Sequence, residues 1–271
     1  MKIFVNPYKA GSKSAKALVE GLREAGVEAK LIRKVNSKYK HDEYNHVVIN
    51  WGDSKCVNHI CLLNSPVNVA LASDKLKTFK ALSDAEVRAV PSFFNKDDAV
   101  KFLAGKAGRV VYCRTKLQGS QGDGIVVAHT PDELVDAKLY TGGLTDVGRK
   151  EYRIHVFGDK VLHVQQKRRR NGYKENKDFS DEIRNLKGGW VFGIKDVDVL
   201  QETKNTAVWA VDALGLDFGA VDILETPNGK GWVLEVNTAC GLEGTTVEKY
   251  VEAIKGVIEL EAVQIEPIPW G

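Results

Sequence analysis

Apolar residues in the first seventy positions form short runs separated by polar segments. These runs have the length of buried strands, and they lie at residues 2–6, 27–32, 46–52 and 67–72. Residues 12–25 instead have apolar positions at helical spacing, and Gly26 supplies the stop that commonly follows a helix. Strands that alternate with helices are typical of a parallel sheet. The pattern predicts a small N-terminal α/β domain over residues 1–72.

The section over residues 73–140 has a different pattern. Ser73 and Asp74 begin a predicted helix that runs to residue 82, and Asn95 caps another that runs to residue 103. Apolar runs at 109–114 and 125–128 predict a hairpin with a long, glycine-rich tip. A short helix at 131–136 and a strand at 138–140 complete this second predicted domain.

The last predicted domain covers residues 141–271 and contains two further hairpins. A helix over residues 197–214 separates the hairpins, and a helix over residues 247–258 follows the second one. Gly158 and Asp159 form the predicted turn of the first hairpin. No internal repeat and no low-complexity segment interrupts the pattern.

Composition places the chain among ordinary globular proteins. Its 271 residues are 43% hydrophobic and 28% charged, and 39 basic against 36 acidic residues give a net charge of +3. No apolar run approaches the roughly 20 residues of a membrane span. Four irregularly spaced cysteines favour reduced thiols over a disulfide framework. Asn6 and Pro7 interrupt the start before a signal peptide could develop, so a cytoplasmic location is predicted.

The second hairpin of the last domain brings three oxygen-bearing side chains to one surface. Asn228 and Gly229 predict a two-residue turn, which places Asp222 opposite Glu235. Asn237 lies on the same face because strand side chains alternate. Two facing carboxylates repel each other unless a cation lies between them, and Mg²⁺ prefers such oxygen ligands. A solvated polar face is an equally good interpretation of the hairpin alone.

Three further features are weaker signals. The turn at residues 158–159 places Glu151 opposite Gln166, with Arg153 on the same face, which is also ordinary for a half-exposed hairpin. The run 167–170 is either a solvated basic turn or a set of phosphate-binding cations. The glycine-rich tip at 119–124 could cradle phosphate through backbone N–H groups, but it lacks the Lys and helix of a Walker loop.

These pieces, in this order, resemble the ATP-grasp ligases over residues 73–258. The most specific match is Glu-Val-Asn at 235–237 followed by Gly-Leu-Glu-Gly at 241–244. It is most similar to the ribosomal-protein glutamate ligase branch and more distantly to D-alanyl-D-alanine ligases, with phage-encoded carboxylate–amine ligases as a further candidate. The resemblance implies an α/β (α+β) fold in which two α+β subdomains clasp ATP between antiparallel sheets behind a small N-terminal βαβ domain.

The resemblance also implies roles for individual residues. Arg153, Lys167 or Arg168, and Asn185 match groups near the γ-phosphate and the acyl-phosphate, and Cys240 stands where proline is common in the family. Arg114 keeps the charge of a lysine that the family places over the phosphates. The implied nucleotide-binding residues are Lys75, Arg114, Gly119, Ser120, Gly122, Gly124 and Glu151. The implied metal ligands are Asp222, Glu235 and Asn237.

The implied activity is ATP-dependent ligation of a carboxylate to an amine through an acyl-phosphate, with release of ADP and phosphate. It requires ATP and two Mg²⁺ ions, which Mn²⁺ could replace, and small-molecule or peptide substrates. A homodimer is common among such ligases, whereas membrane and nucleic-acid partners are not expected. Two alternatives remain: a kinase-like ATP-grasp phosphotransferase, and a nucleic-acid-binding module with a degenerate nucleotide site around the basic run.

Overall fold

A computed structural model describes residues 1–42, 45–56, 62–118, 122–144 and 148–264, with side chains to residue 258. Its strands form three sheets, one parallel and two antiparallel. No helix in these described ranges is long and apolar enough to cross a membrane.

The N-terminal sheet is parallel and follows the predicted alternation. Its strands are β1 (Lys2–Pro7), β2 (Ala29–Leu31), β3 (His46–Trp51) and β4 (Leu62–Leu63), in the order β2-β1-β3-β4. Helix α1 (Lys13–Glu24) connects β1 to β2. Ser12 caps α1 by accepting a hydrogen bond from the Ala15 N–H. The predicted helix over 12–25 and the strand over 46–52 are therefore confirmed.

The strand predicted over residues 67–72 is wrong, because this segment is helix α2 (Pro66–Ser73). Ser65 caps the helix by accepting from the Asn68 N–H, and Pro66 occupies the first helical position, where a missing N–H costs nothing. A short apolar run has no periodicity that separates a strand from a buried helix, so the cap was the better signal. Val69 and Ala72 of α2 pack into the core of the C-terminal sheet.

The middle section forms the second sheet. It contains α3 (Lys75–Asp84), β5 (Ser92–Phe93), α4 (Lys96–Ala104), β6 (Val111–Arg114), β7 (Ile125–Ala128), a 3₁₀ turn (Pro131–Glu133) and β8 (Leu139–Gly142). The antiparallel order is β5-β8-β6-β7. Asp74 caps α3 through the Leu76 and Lys77 N–H groups, and Asn95 caps α4, so both predicted helix starts are confirmed.

The C-terminal sheet has five antiparallel strands and carries the site. Its strands are β9 (Lys150–Phe157), β10 (Lys160–Arg169), β11 (Trp190–Gly193), β12 (Phe218–Glu225) and β13 (Gly231–Asn237), in the order β11-β10-β9-β12-β13. Helices α5 (Gln201–Ala213) and α6 (Thr245–Gln264) complete the section. A short 3₁₀ turn at Tyr173–Glu175 lies between β10 and β11.

The two faces of the C-terminal sheet have different surroundings. Alternate residues of β9 and β12, such as Ile154 and Val221, pack under α5 in the largest core cluster. The other face carries Phe218, which stacks on Trp51 of the N-terminal sheet with ring centroids 5.2 Å apart. The polar residues of the same face, including Asp222, are left to line an open space. The site is thus built on the face opposite α5.

The β12–β13 turn differs from the predicted two-residue turn. Thr226 and Lys230 close a three-residue loop, and the Gly229 N–H donates to the Thr226 carbonyl oxygen. Gly229 has φ +82°, whereas Asn228 does not have the positive φ that the predicted turn requires. Pro227 explains the difference, because it has no N–H for a ladder position and its fixed φ suits the second position of a type I turn.

A register shift nevertheless puts Asp222 opposite Glu235, as predicted. Near the turn, Ile223 pairs with Val233, and an irregularity between Asp222 and Ile223 then moves the register by one residue. The expectation for this pair is confirmed, although the turn from which it was derived is wrong.

In the β9–β10 hairpin the predicted turn is correct and the predicted register is wrong. Its two-residue turn at Gly158 and Asp159 is confirmed by the pairing of Phe157 with Lys160. A register shift between Val161 and His163 then places Gln166 opposite Tyr152. The predicted pairing of Gln166 with Glu151 is therefore wrong, since a bulge has no reliable signature in a half-exposed strand.

Candidate functional site

A cleft of about 720 Å³ lies on the polar face of the C-terminal sheet, between that sheet and the β6–β7 hairpin. This volume suits a small-molecule ligand. Nine predicted site residues line the cleft: Arg114, Gly122, Glu151, Arg153, Lys167, Asn185, Asp222, Glu235 and Asn237. The residues that the sequence places on three separate hairpins therefore meet in one space.

Arg153 and Asp222 form a two-pronged ion pair between neighbouring strands β9 and β12. The Arg153 Nε and Nη2 atoms donate to the two Asp222 carboxylate oxygens at 2.7 and 2.8 Å. Burial alone would raise the pKa of Asp222, but the Arg153 charge outweighs it and lowers this pKa below its ordinary value. Asp222 is therefore ionised at neutral pH, as an anionic metal ligand must be.

Glu151 and Lys167 form a second ion pair, between β9 and β10. The Glu151 side chain is buried, and an Arg184 Nη1 atom lies 3.9 Å from its other oxygen. Burial raises the pKa of Glu151, and the Lys167 charge opposes this shift. The predicted nucleotide-binding residue Glu151 thus has cationic partners in this structure.

Glu235 and Asn237 lie beside Asp222 on the cleft side of the hairpin. The Glu235 carboxylate lies 3.4 Å from Lys75 Nζ, which brings the predicted nucleotide-binding Lys75 to the edge of the cleft although it does not line it. The buried Nδ2 atom of Asn237 has no hydrogen-bond partner among the described residues. A buried polar atom that lacks a hydrogen-bond partner inside a cleft indicates a position where a ligand binds.

The protein side chains supply only part of the coordination shell of a magnesium ion. In the described ranges, no group of three or more His, Cys, Asp or Glu side chains could hold a metal ion by itself. Asp222 and Glu235 supply two carboxylates, and Asn237 adds an amide oxygen. Magnesium commonly takes one or two carboxylates and completes its shell with phosphate and water oxygens. The residues present therefore fit Mg²⁺ bound together with a phosphate ligand.

The β6–β7 hairpin covers the cleft from the other side. Arg114 Nε lies 3.3 Å from Thr141 Oγ1, and burial lowers the pKa of its guanidinium. Gly122 has φ +85°, and a Cβ atom there would lie 2.7 Å from a methyl group of Ile183. Gly124 does not line the cleft, and the predicted Gly119 and Ser120 lie outside the described residues.

Arg168 is not brought to the cleft. Because strand side chains alternate, Arg168 points to the opposite face of β10 from Lys167, where its Nη2 donates to the Asp196 carbonyl oxygen at 2.9 Å. Of the two cations between which the resemblance left the role open, Lys167 lines the cleft and Arg168 does not. Arg169, the next residue of the basic run, pairs with Asp181 at 2.8 Å.

The segment between β10 and β11 supplies cleft residues that the sequence did not single out. Arg184 lines the cleft next to the predicted Asn185, whose Oδ1 accepts from the Gly188 N–H at 2.6 Å. Phe192, in the adjoining strand β11, lies under two cations of the site. Its ring centroid is 4.3 Å from Arg153 Cζ and 5.2 Å from Lys167 Nζ. Only the neighbouring Asn185 signalled this irregular segment, because its residues have no periodicity.

Cys240 has the properties of a structural thiol. It is buried, its Sγ atom lies 3.5 Å from the Tyr250 hydroxyl, and burial raises its pKa to about 11. A thiol with that pKa is protonated at neutral pH and is a poor nucleophile. These properties favour a structural role for Cys240 at the position where proline is common in the family.

Comparisons of the sequence with known proteins give consistent matches. The RimK-like ATP-grasp domain matches residues 72–260. Probable alpha-L-glutamate ligases from Mannheimia succiniciproducens and Pseudoalteromonas translucida are 32% and 29% identical over 199 and 196 residues. Each match covers 68% of this chain, which spans 62% of the relative.

A solved structure confirms the fold. The ATP-grasp ligase PsnB, complexed with a phosphomimetic variant of its minimal precursor, Mg and ADP, superimposes with a TM-score of 0.65. The match covers 94% of this chain and 97% of PsnB at 14% identity, which confirms the predicted ATP-grasp fold. Because the family match extends over more than half of its length, the chain belongs to the RimK-like ATP-grasp family.

Proposed function

We propose that the protein is an ATP-dependent carboxylate–amine ligase. The observation that carries this proposal is the position of Asp222 directly opposite Glu235 at one cleft. Asp222 pairs with Arg153, predicted near the γ-phosphate, and Glu235 pairs with Lys75, predicted to bind the nucleotide. Carboxylates for a metal and cations for phosphate are the groups that phosphoryl transfer needs. The names of the curated relatives support the same chemistry.

The proposed reaction has two steps. A carboxylate oxygen of the acid substrate attacks the γ-phosphorus of ATP, the bond to the β,γ-bridging oxygen breaks, and ADP leaves. The amine nitrogen then attacks the acyl-phosphate carbon, phosphate leaves with the bonding electron pair, and the nitrogen loses one proton. The products are an amide, ADP and phosphate. No protein nucleophile is required, in agreement with the buried, protonated thiol of Cys240.

The residues of this chain would act by position and charge. Arg153 and Lys167 would neutralise charge on the transferring phosphoryl group, and their contact with the Phe192 ring limits their freedom to reorient. Arg114 would contact the nucleotide phosphates from the covering sheet. The β6–β7 hairpin would keep water away from the acyl-phosphate, which water would otherwise hydrolyse.

Asp222, Glu235 and Asn237 would hold Mg²⁺, which when bound shields phosphate charge and acts as a Lewis acid. A second Mg²⁺ ion, replacement by Mn²⁺ and formation of a homodimer stay predictions. The substrates are proposed to be a small-molecule or peptide carboxylate and an amine.

The test measures ADP and phosphate release from ATP with Mg²⁺ in pools of amino acids, polyamines and short peptides, with L-glutamate in every pool. Mass spectrometry of each active pool should find a product lighter than its two substrates by one water. The matched control is Glu235→Gln, which removes one proposed metal ligand and keeps the side-chain shape.

Two other results would overturn the ligase proposal. Phosphorylated product without condensation would favour the phosphotransferase, and the absence of ATP binding would remove the enzymatic interpretation.

A further inference from the structure

We propose that Arg149 and Arg184 form a subsite for an anionic oxygen group at the end of the cleft away from Asp222 and Glu235. The assignment of that group to a substrate rests on the proposed function, whereas the binding site itself rests on the two arginines. Both line the cleft, and neither belongs to the residues implied by the family resemblance.

Arg184 is held in place before any ligand binds. Its Nε donates to the Asp181 carbonyl oxygen at 3.2 Å, and its guanidinium lies 4.6 Å from the Trp190 ring centroid. The Trp190 Nε1–H in turn donates to the Ser180 carbonyl oxygen at 2.8 Å. Arg184 lines the cleft in this held position, and a preorganised donor loses little conformational entropy on binding.

Arg149 faces the same space from the residue before β9. Its side chain makes no hydrogen bond and no ion pair with another residue in the part of the chain that the structure describes. Burial, and next the positive charge of Arg149, lower the pKa of Arg184. Both residues line the same cleft, so their two positive charges repel each other there.

The nearby carboxylates compensate for this charge only in part, because each of them has another basic partner: Asp181, for example, pairs with Arg169. Glu151 is engaged by Lys167, and it reaches Arg184 only at 3.9 Å. Glu182 is directed away to His129, with an Oε1 to Nε2 distance of 3.2 Å. Two like charges held together in a partly buried cleft cost free energy that a bound anion would offset.

Guanidinium groups favour carboxylate and phosphate oxygens, because their planar fork matches the geometry of both. Two sources could supply such an oxygen in the proposed reaction: a nucleotide phosphate, or the carboxylate of the acid substrate. Gly122 of the covering hairpin lies close to Ile183, the residue before Arg184.

The experiment is isothermal titration calorimetry of the full chain with three probes: AMPPNP with Mg²⁺, inorganic phosphate, and L-glutamate added to the AMPPNP complex. Arg149→Gln is the main variant, because Arg149 has no structural bond to lose. Arg184→Lys keeps the charge and removes the fork. Lys177→Gln is the matched control, since it removes an exposed positive charge from the same region outside the cleft.

We expect both arginine variants to weaken at least one probe about tenfold or more, while the control stays within twofold. Loss of AMPPNP or phosphate affinity identifies a phosphate subsite, and loss confined to L-glutamate identifies a carboxylate subsite. Unchanged affinity for all probes overturns the proposal, as does an equal effect of the control. A protein that binds AMPPNP through Arg149 but forms no condensed product would contradict the proposed function alone.

Discussion

Replacement of Asp222 by Asn removes the negative charge that holds the buried Arg153 guanidinium. The wild-type pair has two charge-assisted hydrogen bonds, at 2.7 and 2.8 Å, and its side chains are only 11% and 20% exposed. Hydrogen bonds to charged groups contribute about 1.5–3 kcal/mol each, and breaking one side of a buried pair costs about 3–5 kcal/mol. Since Asn keeps one acceptor, we expect a loss of about 2–4 kcal/mol in the free energy of unfolding.

Urea denaturation at neutral pH measures this loss. Glu202→Gln is the control, because its 2.6 Å pair with Arg88 is largely exposed and should contribute less than about 1 kcal/mol. The cycle is completed by Arg153→Met and the double variant, which should be more stable than the sum of the single losses predicts. An Asp222→Asn variant as stable as the wild type, or strictly additive losses, would refute the reasoning.

The same pair predicts a pH dependence. Burial raises the pKa of Asp222 and Arg153 lowers it more, so the folded pKa lies below the ordinary value of 3.8. A carboxylate of this kind contributes stability that is complete above the unfolded pKa and is lost as the pH falls through the folded pKa. The difference between wild type and Asp222→Asn should be constant near neutral pH and should shrink below about pH 4.

Four further outcomes are expected. Glu235→Gln should keep its urea midpoint, because its side chain is 35% exposed, but should raise the Mg²⁺ concentration needed for phosphate release at least about tenfold. Gly122→Ala should destabilise more than Gly108→Ala by urea denaturation, because both have positive φ but only Gly122 would meet a neighbour within 3 Å. The Cys240 thiol, with a pKa of about 11, should react with a disulfide reagent only after unfolding, and Cys240→Ser should retain activity. Since burial first, and then nearby cations, lower the pKa of His155 to about 4, stability should fall as the pH drops from 6.5 to 4, and His155→Phe should flatten that fall in urea titrations.

The sequence predicted elements better than it predicted register. Helix caps such as Asp74 and Asn95 have local hydrogen-bonding reasons, so they could be located from residue type alone. Bulges in β10 and at the Asp222–Ile223 position depend on packing between strands that are distant in sequence. For this reason the partner of Glu151 was predicted wrongly, while the partner of Asp222 was predicted correctly from a wrong turn.

The residues of the candidate site also differ in how far local sequence determines their position. Side chains of a regular strand alternate between its two faces, so the sequence alone could assign Asp222 and Arg153 each to one face of its strand. Arg149 and Arg184 lie just outside regular strands, where side-chain direction has no period. Their meeting in one cleft depends on how the 170–189 segment folds, which is set by contacts such as the Trp190 Nε1 hydrogen bond.

The paired charges of the cleft explain how it can exist without its proposed ligands. Arg153 pairs with Asp222, Lys75 with Glu235 and Lys167 with Glu151. These three cations, proposed to bind nucleotide or phosphate, therefore neutralise two proposed metal-binding acids and one proposed nucleotide-binding acid. A nucleotide bound without a metal would pair with the cations and leave the carboxylates without their partners. A metal bound alone would pair with the carboxylates and leave the cations without theirs. Only the two together replace every partner that is lost. The same groups that pair with one another in the cleft therefore favour joint binding of nucleotide and metal, and this coupling must act equally in both directions.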